Sequence, residues 1–312
     1  MAKDFIVAIE LGSSKMTGIA GRKNPDGSIS ILAVAKEDSA SYIRKGVAYN
    51  IERTAQGLSN IVSKLKNTLK TEIEQVYVGI GGQSIHSVKN SIVKELPLDC
   101  IVSQDMVNEL MDTNRSMEYK DCEILDAITQ EYNVDGHYED DPVGIQARHL
   151  EGNFLNVLWR RSFYRNLNKS LDNSGIKVAE MYLAPLTMAD CVLTDAEKRA
   201  GCVLVDLGAD TTTVSVYYRN KLRHIAVLPL GGSNVTKDLE SLQIDEINAE
   251  AMKLKHASAL TNEKDIDADA TLPIGDGRTI PSRMFIQVVE ARMLEIVENV
   301  KYLVPHEFAD KL

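Results

Sequence analysis

Two stretches of this sequence say nearly the same thing, and together they leave few folds open. Ala8 to Gly21 reads AIELGSSKMTGIAG, and in the second half of the chain Val205 to Tyr218 reads VDLGADTTTVSVYY. Each runs from an apolar strand through an acid, a leucine and a glycine into small hydroxyl-bearing residues, then into a second, alternating strand. Set side by side, Glu10-Leu11-Gly12-Ser13-Ser14-Lys15 matches Asp206-Leu207-Gly208-Ala209-Asp210-Thr211. A unit of this size cannot bury a core alone, so its duplication predicts a two-lobed, pseudo-symmetric α/β fold. The 312 residues, 44% apolar and 26% charged, suffice for two such lobes.

The element that each glycine opens decides the chemistry. In Walker and Rossmann phosphate loops the glycines open a helix. Here each opens a strand, so a phosphate would meet a hairpin turn. Glycine admits close backbone approach, the turn's amides donate to phosphate oxygens, and Ser or Thr hydroxyls add donors. On these grounds Gly12, Ser13, Ser14 and Lys15 form one candidate phosphate loop, and Gly208, Thr211 and Thr212 the other. Lys15 supplies positive charge, while Glu10 and Asp206 at the strand ends are placed to hold Mg²⁺ through water. A lone Asp-Leu-Gly turn carries little information. Two copies, each heading a similar set of strands, predict loops that grip a triphosphate from opposite sides of a cleft.

Composition removes other classes. A formal net charge of -10 argues against nucleic acid or anionic lipid as a general partner. The one basic run, WRRSFYR (Trp159 to Arg165), reads as a solvated helix start. Cys100, Cys122, Cys191 and Cys202 show no C-x-x-C spacing, which fits a reducing cytoplasm, and the six histidines form no zinc-type pair. The apolar run FIVAI, preceded by Asp4, is too short for a signal peptide, and no stretch reaches the ~20 apolar residues of a membrane span. The expectation is a soluble, cytosolic protein without zinc or nucleic acid.

Between the two repeats the pattern predicts further elements. FIVAIELG, MTGIAGRK and SISILAVAKED read as strands, with NPDG turning between the last two. Glu52 to Glu72 reads as a helix with Leu58, Ile61, Val62, Leu65 and Leu69 on one stripe, then a strand at QVYVGIGG. From about Gln83 to Arg161 several short strands, VGIQARHLEG and NFLNVLW among them as separate ones, surround a helix capped by Ser103. This reads as a small α+β module inserted into the first lobe. FYRNLNKSLDNSG is then a helix closed by Gly175, KVAEMYL a strand, PLTMADCVLTDAEKRA one helix opened by Pro185, and GCVLVDLG a strand. Helices come next at NVTKDLESL and about Asp245 to Ala259, then a polar segment turning at GDGR. A long helix from Ser282 to about Val304 buries Phe285, Val289, Met293, Ile296, Val300 and Leu303. Asp190, Asp195 and the acidic turn Tyr138 to Pro142 read as solvated, and Trp159 as core.

These residues resemble the superfold shared by actin, heat-shock ATPases and sugar kinases, and within it the FtsA family of bacterial cell-division proteins. AIELGSSK is similar to the superfold's first phosphate loop, usually Asp-Ile-Gly-Thr-Ser-Lys, and VLVDLGADTTTVSVY to the second, usually Asp-Ile-Gly-Gly-Gly-Thr-Thr-Asp. LRHIAVLPLGGSNVTKDL is similar to the stretch in which Gly-Gly, here Gly231-Gly232, comes after a strand. AEAMKLK resembles the helix whose Glu and Lys, here Glu250 and Lys253, contact ribose and adenine. The likeness runs over essentially the whole chain, and the insert falls where the FtsA family places its extra subdomain.

The resemblance implies a two-lobed, actin-like (ribonuclease H-like) α/β fold. Its first lobe is 1–82 with 162–199, its inserted subdomain 83–161, its second-lobe core 200–225 with 305–312, and the second lobe's smaller subdomain 226–304. It also implies ATP and Mg²⁺ as ligands, and a division scaffold at the cytoplasmic face of the cell membrane. That scaffold would self-associate into filaments and bind other division proteins. The tail of the tubulin-like FtsZ would dock on its smaller second-lobe subdomain. The family carries a further glycine-rich adenosine motif and a C-terminal amphipathic membrane helix. Neither occurs before Leu312, so the chain reads as a fragment with an incomplete second lobe and no tether. PilM-like type IV pilus assembly ATPases carry a similar insert and remain the alternative. A sugar kinase or chaperone ATPase would need a hydroxyl-directed catalytic Asp or a substrate-binding domain, and neither is evident.

Four positions depart from the family's pattern: Glu10 stands for Asp, Ala209 and Asp210 for glycines, and Thr213 for Asp. Asp210 is expected to bring a carboxylate near the phosphates. Leu186 occupies the place of the water-activating residue, so the expectation is nucleotide binding with at most slow hydrolysis.

Overall fold

Period-two burial makes β1 (Ile6–Leu11) a strand that turns Val7, Ile9 and Leu11 inward and leaves Ile6 and Glu10 outward. The computed structural model describes residues 5–261, 270–274 and 277–309; Asp4, and Gly275 and Asp276 of the GDGR turn, lie outside the described residues. β1 pairs antiparallel with β2 (Lys15–Lys23), and β2 with β3 (Ile29–Asp38). A two-residue ladder of β4 (Ile43–Arg44) and β5 (Val47–Ala48) leads into α1 (Ile51–Leu69). Asn50 caps α1 by accepting from the Arg53 amide, and its apolar stripe buries Leu58, Ile61 and Leu65 completely. The helix stops at Leu69, short of the expected Glu72, because Lys70 takes the left-handed conformation (φ 54°). β6 (Val76–Ile80) then lies parallel to β1.

The next elements are β7 (His86–Glu95), α2 (Gln104–Arg115), β8 (Cys122–Val134), β9 (His137–Glu139) and β10 (His149–Arg160). Ser103 caps α2 as expected, accepting from the Met106 amide. The two strands expected at VGIQARHLEG and NFLNVLW are in fact one, β10, and Val143 to Arg148 precede it as turn and isolated bridge. Gly152 does not end the strand. It makes room there, since a Cβ would lie 2.8 Å from the Phe154 ring, and the ladder with β8 shifts register just beyond it. Trp159 is buried at the end of β10, its indole donating to the Gln83 carbonyl at 3.1 Å.

After α3 (Arg161–Ser174), closed by Gly175 at φ 68°, β11 (Val178–Leu183) runs parallel to β6. The first sheet is therefore ordered β11-β6-β1-β2-β3, with α1 and α3 packed together on one face. The single helix expected at PLTMADCVLTDAEKRA is two: α4 (Ala184–Val192) and α5 (Asp195–Ala200). Leu193 is extended, and Thr194 opens α5 with a capping box to Glu197, a local arrangement that competes with helix continuation.

β12 (Cys202–Leu207), β13 (Thr212–Tyr218) and β14 (Lys221–Leu228) repeat the β1-β2-β3 meander. The sheet does not end there. β14 meets β7 at Ala226↔His86, giving one seven-stranded sheet in the order β12-β13-β14-β7-β10-β8-β9. The strands of the inserted region are thus continuous with the second meander, a relation not visible in the sequence. α6 (Gly232–Glu240), α7 (Glu246–His256), the hairpin β15 (Thr271–Pro273) and β16 (Thr279–Pro281), and α8 (Ser282–Leu303) enclose a separate core around Val235, Leu239, Phe285 and Val289. A short α9 (His306–Ala309) comes last.

Candidate functional site

The two meanders close with the same turn. In the first, Leu11 pairs with Met16 and Glu10 with Thr17; in the second, Leu207 pairs with Thr212 and Asp206 with Thr213. In both, the glycine after the leucine is folded tightly over the turn. A Cβ on Gly12 would stand 2.6 Å from the Lys15 carbonyl oxygen, and one on Gly208 2.9 Å from that of Thr211. The residue type is therefore set by the turn. The Gly208 amide donates to the Thr211 oxygen at 2.8 Å.

The two turns face one cleft of 360 Å³, lined by Glu10, Gly12, Ser13, Ser14 and Lys15 from one side and Asp206, Gly208 and Thr211 from the other. Thr17 and Thr213, paired with the two acids, line it as well. Sequence reasoning missed these threonines as site residues, although each stands at the same offset from its acid. It also missed Gly46, Gly81 and Gly82, which form the cleft's end wall. Gly46 (φ 72°) lies against Gly82 (φ 117°), and a Cβ on Gly46 would stand 2.3 Å from the Gly82 Cα. A Gly-Gly pair ending an apolar strand was the available signal, the same that singled out Gly231-Gly232. The Gly46 amide donates to Ser13 Oγ at 2.8 Å, and the Ser39 hydroxyl to the Gly12 carbonyl at 2.6 Å.

Not every residue expected as a ligand faces the cleft. Thr212 is fully buried, and its hydroxyl donates to the Leu230 carbonyl at 2.9 Å, which ties the second turn to the strand end before Gly231. Gly231 packs under that turn: a Cβ would meet the Ala209 and Gly208 carbonyl oxygens at 2.5 and 2.6 Å. The Gly232 amide donates to the Gly208 oxygen at 2.9 Å. Glu250 and Lys253 form a second cluster behind Gly232. Lys253 Nζ reaches Glu250 at 2.6 Å, Thr236 Oγ1 at 2.9 Å and the Gly232 carbonyl at 3.1 Å. Burial pushes the Glu250 pKa up, but hydrogen bonds from Lys253 and Thr236 outweigh it and hold the carboxyl below its ordinary range.

Asp210, expected to face the phosphates, instead accepts from the backbone amide of Lys45 at 3.0 Å. The carboxylate bridges from the second turn to the first lobe. Leu186 also lies elsewhere: it lines a neighbouring cavity with Tyr182 and Asp126, and α4 turns Ala184, Pro185 and Met188 toward the cleft. Asp190 and Asp140 are exposed, as expected of solvated acids, and at the surface each also pairs with a lysine, Asp190 with Lys198 at 2.6 Å and Asp140 with Lys221 at 2.7 Å.

The two acids at the strand ends repel. Partial burial between the cleft walls raises the pKa of Glu10, the charge of Asp206 raises it further, and Lys15 pulls it back; burial raises Asp206 too. Solvent still reaches Glu10 from the open side. Two partly desolvated carboxylates lining one cleft, with Lys15 acting on Glu10, suit a hard divalent cation, and the oxygen donors are of the type Mg²⁺ takes together with phosphate and water.

A mixed five-stranded sheet and an antiparallel seven-stranded one, with a hairpin turn from each lining a single cleft, place the fold in the actin-like class. The fold is similar to that of the PilM–PilN type IV pilus biogenesis complex (TM-score 0.61, 13% identity, 95% of this chain and 75% of that one). It is similar also to MreB5 of Spiroplasma citri bound to ADP (TM-score 0.54, 12% identity, 99% and 82%). Within that class the sequence is more specific. Residues 203–290 match the family model for cell division protein FtsA, and residues 82–158 that for the SHS2 domain inserted in FtsA. Cell division protein FtsA of Porphyromonas gingivalis is 33% identical over 93% of this chain, which spans 62% of that relative's length. Those of Neisseria meningitidis (28%) and Escherichia coli K12 (26%) align over 94% and 96% of this chain, each with 72% of its own length. The chain belongs to the FtsA family.

Proposed function

We propose that this chain is the nucleotide-binding, actin-like part of a cell-division scaffold. One observation carries the reading: two hairpin turns of identical register, one from each lobe, line a single cleft. The amides and hydroxyls of Gly12 to Lys15 and of Gly208 and Thr211 would take the phosphates of ATP, with Lys15 as the cation. The Glu250–Lys253 cluster, tied to the second turn through Gly232, would meet the nucleoside. Glu10 and Asp206 would hold Mg²⁺, which when bound neutralises phosphate oxygens and relieves the repulsion between the acids.

The walls favour binding over turnover. α4 offers the cleft only Ala184, Pro185 and Met188, none of which can orient a water for attack. Nucleotide therefore acts as a state marker for assembly. We assign the lobes at 1–82 with 162–199 and 200–225 with 305–312, the insert at 83–161 and the smaller second-lobe subdomain at 226–304. Self-association into filaments, FtsZ-tail capture on 226–304 and a place at the membrane's cytoplasmic face complete the reading. FtsA relatives at 26–33% identity favour division over a pilus role, since the PilM likeness lies in the fold. The test is equilibrium titration with Mg·ATP. Micromolar binding that Lys15→Ala weakens at least tenfold supports the site, and equal binding by the variant removes it.

A further inference from the structure

A second cavity, of 520 Å³, lies where the two halves of the seven-stranded sheet join, lined by β7, β8 and β10 on one side of the order and by Tyr218, Arg219 and Arg223 on the other. β14 and β7 share one register pair, Ala226↔His86. Toward its start β14 instead leans over the insert: Gln130 of β8 donates to the Leu222 carbonyl at 3.1 Å, and Lys221 reaches the Gln130 carbonyl. The β13–β14 turn, Arg219-Asn220, takes positive φ at both residues (53° and 59°), and Arg219 of this turn lines the cavity together with Arg223 of β14. Phe308 of α9 stands beside Tyr218 at 6.5 Å, and Glu307 pairs with Lys89 at 2.5 Å across the same opening.

The two arginines are the unusual feature. Arg223 is half-buried, and its guanidinium donates only to neutral oxygens, Gln130 Oε1 at 2.9 Å and the Tyr218 carbonyl at 3.2 Å. Arg219 lies over the Tyr218 ring at 5.5 Å. Among the described residues neither has an ion-pair partner, and the nearby Asp140 is already held by Lys221. Burial lowers the Arg223 pKa, Glu131 opposes that, and Arg219 lowers it further. A half-buried guanidinium with unused N–H groups and no carboxylate in contact is a poor arrangement for an empty pocket and a good one for an anion. Opposite them, Glu131 and Glu151 line the insert side. The cavity is thus two-signed, with arginines from the second meander and carboxylates from the insert.

We propose that this cavity is a binding site for a small anion that also carries hydrogen-bond donors, a phosphomonoester bearing an ammonium or hydroxyl group. Its phosphate sits between Arg219 and Arg223, and its donor group reaches Glu131. Because the two ends contact different halves of the sheet, occupancy holds the insert against the second meander. The site is separate from the nucleotide cleft and does not rest on that reading.

O-phosphoethanolamine is the probe, titrated calorimetrically at low salt, with inorganic phosphate in a parallel series. Saturable binding of the probe is expected, several-fold tighter than phosphate, and weakened about tenfold or more by Arg223→Gln. Arg219→Gln, at an exposed turn, weakens it without a change in circular dichroism, so a folding defect at Arg223 would not obscure the result. Glu131→Gln removes the advantage of the probe over phosphate. Lys15→Ala leaves binding unchanged, which separates this cavity from the cleft. Absence of saturable binding by the wild-type chain, equal binding by both arginine variants, or loss with Lys15→Ala alone overturns the proposal.

Discussion

The carboxylate of Asp210, in the second hairpin turn, accepts the backbone amide of Lys45, in the loop that leads to α1. Those residues lie 165 positions apart. A side chain that would repel phosphate from within the turn is drawn away from it and made into a clasp between lobes. Asp210→Ala should therefore cost about 1 kcal/mol, lowering Tm by roughly 2–4 °C, and should speed nucleotide release. Asp210→Asn keeps an acceptor oxygen and should behave nearly as wild type. Thermal unfolding and stopped-flow release of a fluorescent ATP analogue measure the two effects; slower release from Asp210→Ala would refute the clasp.

Glu10 and Asp206 both have raised pKa values, so the charged forms are less favourable in the folded chain than in the unfolded one. Between the ordinary carboxylate pKa and the raised one the folded state binds more protons, so by linkage stability falls as pH rises through that window. The loss is complete once the pH lies above the raised values. Glu10→Gln should raise the Tm of the nucleotide-free chain at pH 7 by about 1–3 °C, with the gain shrinking toward roughly pH 4.5. Mg²⁺ should stabilise the wild type more than the variant. A Tm gain independent of pH would count against carboxylate repulsion.

Gly231→Ala tests the packing under the second turn. The added Cβ would meet two backbone oxygens that cannot rotate aside, so the turn must move. The expected cost is about 1–3 kcal/mol, with ATP affinity reduced as well. Gly277→Ala, at a turn where a Cβ meets nothing within 4 Å although φ is 79°, is the comparison for backbone strain alone. It should lose stability and keep affinity. Parallel denaturant and binding curves decide, and unchanged ATP affinity in Gly231→Ala would uncouple Gly231 from the site.

Lys253→Met separates the nucleoside side from the phosphate side. It removes three hydrogen bonds at Glu250, Thr236 and Gly232. ATP affinity should fall about tenfold while inorganic triphosphate binds as before; Lys15→Ala should weaken both. Equal losses for the two ligands in Lys253→Met would place Lys253 on the phosphates instead. The same cluster gives Glu250 a depressed pKa, so its contribution to stability is present above the ordinary carboxylate range and lost as pH falls through the lowered value.

Much of this fold is written in short-range spacing. The duplicated strand–turn–strand units, the α1 stripe of Leu58, Ile61 and Leu65, the Ser103 cap and the Gly175 stop depend on neighbours a few residues away, and each is legible from the chain. Local spacing misled where two signals competed. Gly152 reads as a strand end but relieves a contact with Phe154, and Thr194 ends one helix by opening another. What only tertiary structure decided are relations between distant residues. They include the Asp210–Lys45 clasp, the Gly46–Gly82 wall, the Thr212 hydroxyl turned inward to Leu230, Leu186 turned away from the cleft, and the junction of β14 with β7. A side chain's type and period say which face of its own element it occupies. Which amide, carbonyl or charge meets it across the cleft depends on how two lobes pack, and no local pattern carries that information.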